Sequence, residues 1–339
     1  MISSDNIKFL SYGDNKEKGL DVGKQVVFKK TSELTESEKM QIGELFHCVF
    51  KVEMLAEVFR QRFINSCLGY SYHGLLLHGD SIVGSFSAIP YRYKYFGKEM
   101  TFALSVDTMI AKEHREKPSR LPEMAQIVYQ ALVEDGISLI YGFPNELYHN
   151  HEKRLMGTKD IGRLYYYILP INIGSIFSKV KCCNFLSRIF AKAVLFLGRM
   201  PAQGDFKYNI EKINDDIFDR HRYNKNYSFL DIEGGGRCVY RIHDEKGVKT
   251  LHILDVSPLS PDFFQKAVQN VYQIASKEID AILYVGTLPF YPRGLIKVPR
   301  FMEPQRIMMT GKVLMSEVVD DSVFVIDNWN VNVSNFDVR

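Results

Sequence analysis

No CxxC pair occurs in this 339-residue chain; its five cysteines, Cys48, Cys67, Cys182, Cys183 and Cys238, are odd in number and irregularly spaced. That pattern excludes the common zinc spacings and a disulfide framework, so no metal is expected and a reducing compartment fits. A secretory leader is also missing: Met1 to Leu20 is polar and carries Asp5, Asp14 and Glu17, which points to a cytoplasmic protein. Ser257 and Ser260 lie in no GxSxG elbow, which argues against a serine hydrolase. Gly234-Gly235-Gly236 has no strand–GxGxxG–helix context and reads as a flexible loop. Nor is there an excess of one charge: 43 Lys and Arg face 40 Asp and Glu, a net +3 without a basic stripe, so no nucleic-acid partner is expected.

What is present is ordinary globular composition, 46% hydrophobic and 24% charged, at a length that suits two domains. Residues 31–68 read as helical: Thr35 and Glu38 form a capping box ahead of Ile42, Leu45, Phe46, Val49 and Phe50, and a second helix near Glu53 to Cys67 follows. Gly74 to His78 and Ile82 to Pro90 read as strands around a turn at Gly79-Asp80. Tyr91 to Phe96 alternates aromatic and basic residues up to a turn at Gly97-Lys98; its aromatics suit a binding pocket or strand packing equally. Glu99 to Ala111 reads as a long strand, Leu121 to Asp135 as a helix with Pro122 in its first turn, and Ser138 to Phe143 as a buried strand ending at a Pro144-Asn145 turn.

The order repeats downstream. Cys238 to His243 and Lys249 to Val256 read as strands, Ser260-Pro261 opens a helix to about Lys277, and Ile279 to Val285 is a second short apolar strand. Val128-Tyr129-Gln130 in the first copy matches Val271-Tyr272-Gln273 in the second. Asp107 to Val128 spans 21 positions and Asp255 to Val271 only 16, so the first copy has five extra residues between strand and helix. A ligand would meet the chain there. The extra segment holds Lys112, Arg115, Lys117 and Arg120 beside two glutamates, and the helix N-terminus behind it adds free N–H groups: a natural seat for phosphate, or else a solvated basic loop.

Strand, Arg-containing loop, helix and short strand in that order resemble the central motif of the GNAT acyltransferases, Gln/Arg-x-x-Gly-x-Gly/Ala. Ile140-Tyr141-Gly142-Phe143-Pro144-Asn145 is similar to a signature of the tandem-GNAT branch that includes Eis-like proteins. The resemblance covers about residues 30–170 well and 205–335 more faintly. It implies an α/β fold of two GNAT-like domains, with mixed central sheets flanked by helices. The expected layout is an N-terminal domain over 1–172 with the acyl-CoA site, an amphipathic linker over 173–204, and a C-terminal domain over 205–339 that lacks a cofactor loop.

The resemblance further implies an N-acyltransferase, in the family's usual manner an N-acetyltransferase, that moves an acyl group from acetyl-CoA or another acyl-CoA to an amine-bearing small molecule, sugar or peptide. It places Met109, Ile110, Ala111, Arg115, Lys117, Ser119, Arg120 and Asn145 at the cofactor, Tyr148 as acid, and Glu146, His149 or His151 as base; Asp107 is a further cleft candidate. The chain departs from the motif where Pro118 and Arg120 replace glycines whose amides approach phosphate closely. A non-catalytic binding or scaffold protein is the alternative. A FemABX-type transferase is disfavoured by the absence of a helical-hairpin insertion and a basic face.

Residues 173–200 are apolar at helical spacing but interrupted by Lys179, Lys181, Arg188, Lys192 and Arg199, too often for a span. They suit a helix packed between domains, or a basic amphipathic helix in peripheral contact with a membrane.

Overall fold

A computed structural model describes residues 23–176, 184–198 and 208–336. Cys182, Cys183, Lys179, Lys181, Arg199 and the polar N-terminal stretch lie outside the described residues. In chain order the elements are β1 (Lys24–Lys30), α1 (Glu36–Phe50), α2 (Ala56–Phe59), β2 (Tyr72–His78), β3 (Ser81–Tyr95), β4 (Lys98–Ile110), α3 (Arg120–Glu134), β5 (Leu139–Gly142), α4 (Glu146–Met156), β6 (Lys159–Arg163) and β7 (Tyr165–Pro170). Then follow α5 (Ile173–Ile176), α6 (Asn184–Leu197), β8 (Ile210–Lys212), α7 (Asp216–Arg222), β9 (Ser228–Ile232), β10 (Gly236–Glu245), β11 (Val248–Ser257), α8 (Pro261–Ala275), β12 (Ala281–Gly286), β13 (Ile296–Lys297), β14 (Met308–Val313) and β15 (Trp329–Asn330).

The fold is mixed α/β, with two sheets flanked by helices. The first sheet runs β1-β2-β3-β4-β5-β14-β6, with β8 and β15 joined at β3; the second runs β13-β7-β12-β11-β10-β9. The sheets exchange chain: β7 pairs with β12 in the second, while β14, far downstream, lies between β5 and β6 in the first. In both sheets an antiparallel hairpin feeds a helix that returns to a parallel strand: β3-β4-α3-β5 and β10-β11-α8-β12.

Alternation along β4 explains the layering. Phe102 and Leu104 enter a core with Ile42, Leu45 and Phe46 of α1, whereas Ala103 faces Met124, Val128 and Leu132 of α3 on the other side. A β-carbon on Gly74 would lie 2.3 Å from the Met124 carbonyl oxygen, so glycine alone lets α3 approach β2 this closely. The second sheet buries Leu251, Ile253 and Ile282 against Phe264, Val268 and Val271 of α8.

Several boundaries differ from expectation. The 31–68 helical region is broken by Lys51, in a left-handed conformation (φ 61°), and α2 is one turn continued by a π-helical turn over Arg60–Ile64. β3 continues through Pro90 to Tyr95, because β2 stops pairing at Ala88 and no neighbour on that side needs the missing N–H. The Pro144-Asn145 turn opens an entire helix, α4: Asn145 caps it by accepting from the Tyr148 N–H (2.8 Å), and Gly157 ends it in the left-handed region. Gly234 and Gly235 do take positive φ in the β9–β10 turn, while Gly236 lies beneath the Phe263 ring.

Candidate functional site

The site is made by strands that part. β4 and β5 pair in parallel only from Ala103↔Ile140 to Ser105↔Gly142; beyond this β5 gives way to α4 while β4 continues to Ile110. A bulge at Asp107 (φ 51°) bends β4 just past the last pair. The gap becomes a cleft of about 360 Å³ whose lining includes Met109, Ile110, Arg115, Lys117, Pro118 and Tyr148.

Each wall follows from local chemistry. Arg115, on the five-residue-longer loop, turns its Nε back onto the Ile110 carbonyl (2.8 Å), which fastens the loop to the end of β4. Lys117 lies beside it and Pro118 carries the chain into α3. Ser119 occupies the N-cap of α3 without a side-chain hydrogen bond to the helix, and Pro122 contributes no N–H to its first turn. The second copy is closed where the first is open: Ser260 caps α8 through the Phe263 N–H (3.2 Å), and the Phe263 ring covers Gly236.

α4 forms the far wall. Tyr148 has a phenol oxygen buried without a hydrogen-bond partner among the described residues, a costly arrangement unless something else completes it. Burial, followed by the Glu152 carboxylate, holds this phenol well above the ordinary tyrosine range. One turn on, Glu152 accepts from Thr310 Oγ1 of β14 (3.2 Å), and burial pushes its carboxyl up to about 7. Glu152 was not among the residues singled out in the sequence. Its four-residue spacing from Tyr148 was the available signal, but a charge in a polar helix gives no hint of its burial.

The other expected residues separate. His151 reaches the cleft, with its ring 5.8 Å from that of Tyr148. His149 Nε2 is 2.6 Å from Asp160, which also binds Lys153, and Glu146 is exposed in the first turn of α4. Asn145 is occupied in capping, Ala111 donates its N–H to Val83 O (2.8 Å), and Arg120 pairs with Glu123 (2.7 Å). Asp107 is buried and pairs with Arg62 (2.9 Å) rather than lining the cleft. Among the described residues no group of three His, Cys, Asp or Glu could hold a metal ion.

Across β4 lies a second, smaller cavity of about 120 Å³, lined by Leu104, Val106, Arg62, Tyr91, Asn224 and Tyr227 among others. Of the aromatic run before the Gly97 turn only Tyr91 reaches it; Tyr93 and Tyr95 enter the core and Phe96 is exposed.

No protein-family profile and no curated protein sequence matches the chain. Solved structures do. A GCN5-related N-acetyltransferase from Anabaena variabilis aligns at 14% identity and TM-score 0.56, covering 85% of this chain and 73% of that one. One from Kribbella flavida aligns at 12% identity and TM-score 0.56, covering 87% and 72%. Eis1 from Mycobacterium abscessus aligns at 10% identity and TM-score 0.54, covering 87% and 74%. With its parted parallel strands, its loop leading into α3 and these neighbours, the chain has the fold of the GCN5-related N-acetyltransferases.

Proposed function

We propose that the protein is an acyl-CoA-dependent N-acyltransferase acting on an amine, with the cleft between β4 and α4 as its acyl-CoA site. One observation carries this reading: the end of β4, the cations Arg115 and Lys117, the start of α3 and Tyr148 line one cavity. The residues fit the group. Arg115 and Lys117 offer positive charge to a diphosphate, and the open N-terminus of α3 adds its partial charge. Side-chain cations thus carry most of the load that glycine amides carry in the family motif, since Pro118 has no N–H to contribute. Met109 and Ile110 form an apolar wall for the acyl and pantetheine portions.

Acyl-CoA supplies an activated thioester. The protein's part is to bind it, orient it and manage protons. Tyr148, kept protonated by burial and by Glu152, is the residue we assign as proton donor to the departing sulfur. The acceptor enters from the Tyr91 and Val106 side of β4, through the smaller cavity.

The test is thermal unfolding with coenzyme A. A ligand at one hundred times its Kd stabilises the fold by about 2.7 kcal/mol, a rise in Tm of several degrees. Arg115→Ala should remove that rise, read against the Tm of the same variant without ligand. No rise at saturating coenzyme A would favour a non-catalytic scaffold, and a rise that survives Arg115→Ala would move the site elsewhere.

A further inference from the structure

α6 is built inside out. It buries the small residues Ser187 and Ala191, with Leu195, against the second sheet, and leaves most of its larger side chains exposed. Phe185 is 72% exposed, Leu186 63%, Ile189 50%, Phe190 46%, Phe196 68% and Leu197 62%. A surface helix of a globular protein normally does the reverse, and a contiguous apolar face of this size marks an interaction surface. The seat of the helix is well defined: Ser187 Oγ donates to the Ile171 carbonyl (2.7 Å), Arg188 Nε donates to Asn172 Oδ1 (2.9 Å), and Gly294 packs against Leu195. The outward face is therefore a property of the folded molecule.

The charge around this face has one sign. Residues 161–204 contain no Asp or Glu, and the charged residues of α6 are Arg188 and Lys192. The loop packed on the end of the helix adds Tyr291, 76% exposed, an aromatic with a polar tip of the kind that sits at lipid headgroups.

We propose that α6 docks this protein onto an anionic lipid bilayer. Phe185, Leu186, Ile189, Phe190, Phe196 and Leu197 would enter the headgroup–acyl boundary, with Lys192 and Arg188 against the phosphates. The helix lies in the interface and does not span: no described helix is long and apolar enough to cross a membrane. The charge pattern favours this occupant over a second copy of the chain, because a symmetric contact would oppose two cationic faces across apolar surface. The inference does not rest on acyl transfer, since vesicle binding requires neither coenzyme A nor an acceptor.

The experiment is co-sedimentation of the full chain with phosphatidylcholine vesicles, with and without about 30% phosphatidylglycerol. Binding to the anionic vesicles only is expected, weakened about fivefold by Lys192→Glu or by raising salt from about 0.05 to about 0.5 M. A triple variant, Phe185→Gln, Phe190→Gln and Phe196→Gln, should lose binding while keeping its far-UV circular dichroism, because the three positions are exposed. Phe190→Trp gives a second readout: its emission should shift to the blue on anionic vesicles, over the constant background of the buried Trp329. Failure to bind, equal binding to neutral vesicles, or retention by the triple variant would each overturn the proposal. So would a concentration-dependent dimer that the triple variant abolishes, in a protein that ignores vesicles.

Discussion

Tyr148 and Glu152 are one helical turn apart on α4, yet their chemistry is opposed. The phenol is held protonated and the carboxyl is poised near neutrality. Tyr148→Phe keeps the ring and removes the proton donor. Release of coenzyme A thiol from acetyl-CoA in the presence of an amine acceptor should fall by about 10²-fold or more, with coenzyme A binding unchanged in calorimetry. Glu152 makes a separate prediction about stability. An unfolded glutamate ionises near ~4.3, whereas the folded carboxyl keeps its proton to about 7. The folded state therefore binds the extra proton in that window, and stability should decline as pH rises from about 4.5 to 7, by an amount on the order of 2 kcal/mol. In urea titrations across this range Glu152→Gln should remove that decline; an unchanged slope would mean that the carboxyl ionises normally. Sequence reading reached Tyr148 and stopped short of Glu152, because the groups that bury Glu152 come from elsewhere: Thr310 on β14, and Tyr129 of α3, whose own phenol feels its charge.

At the scale of elements, what could be read was what is local. Thr35 and Glu38 do form their capping box at the start of α1, and Gly79 and Gly97 do take the turn conformations expected of them. The five extra residues before α3 do end up in a cleft, because a loop length is a property of the sequence itself. α4 escaped because Glu146 to Arg154 is so polar that no apolar period announces it, although its Asn145 and Gly157 termini were in view. The close approach of α3 to β2 rests on Gly74. Gly74→Ala would push a methyl group into a backbone carbonyl and should cost about 3 kcal/mol, measurable as a lower urea midpoint. Substitution of Gly79 by Asn at the open β2–β3 turn is the control, since asparagine tolerates a left-handed φ and nothing lies within 4 Å of the added carbon.

Across the whole molecule the two sheets are joined by buried polar groups that neither half could satisfy alone. Lys212 of β8, in the first sheet, pairs at 3.1 Å with Asp255 of β11, in the second, and both side chains are almost fully buried. Asp255 also accepts from Asn214 (2.9 Å) and Asn332 (3.0 Å), while Asn335 donates to the Tyr93 phenol in the first sheet (3.0 Å). Lys212→Met strands a carboxylate in the interior and should cost about 3–5 kcal/mol; adding Asp255→Asn should restore most of it, and a double variant no better than the single would sever the pair from stability. None of this joint was legible in advance, because its partners lie far apart along the chain and no local spacing connects them.

The exchange of β7 and β14 between sheets also imposes an order of events on synthesis. While the ribosome is still making the middle of the chain, β5 has no neighbour on one side and β6 has none to dock against. That edge of the first sheet stays open until residues 308–313 emerge, when the strand can insert between them. Closing so long a loop is slow, and an open sheet edge invites pairing with another nascent chain. The interval of exposure therefore opens when β5 and β6 have been made and lasts until β14 emerges to pair with both.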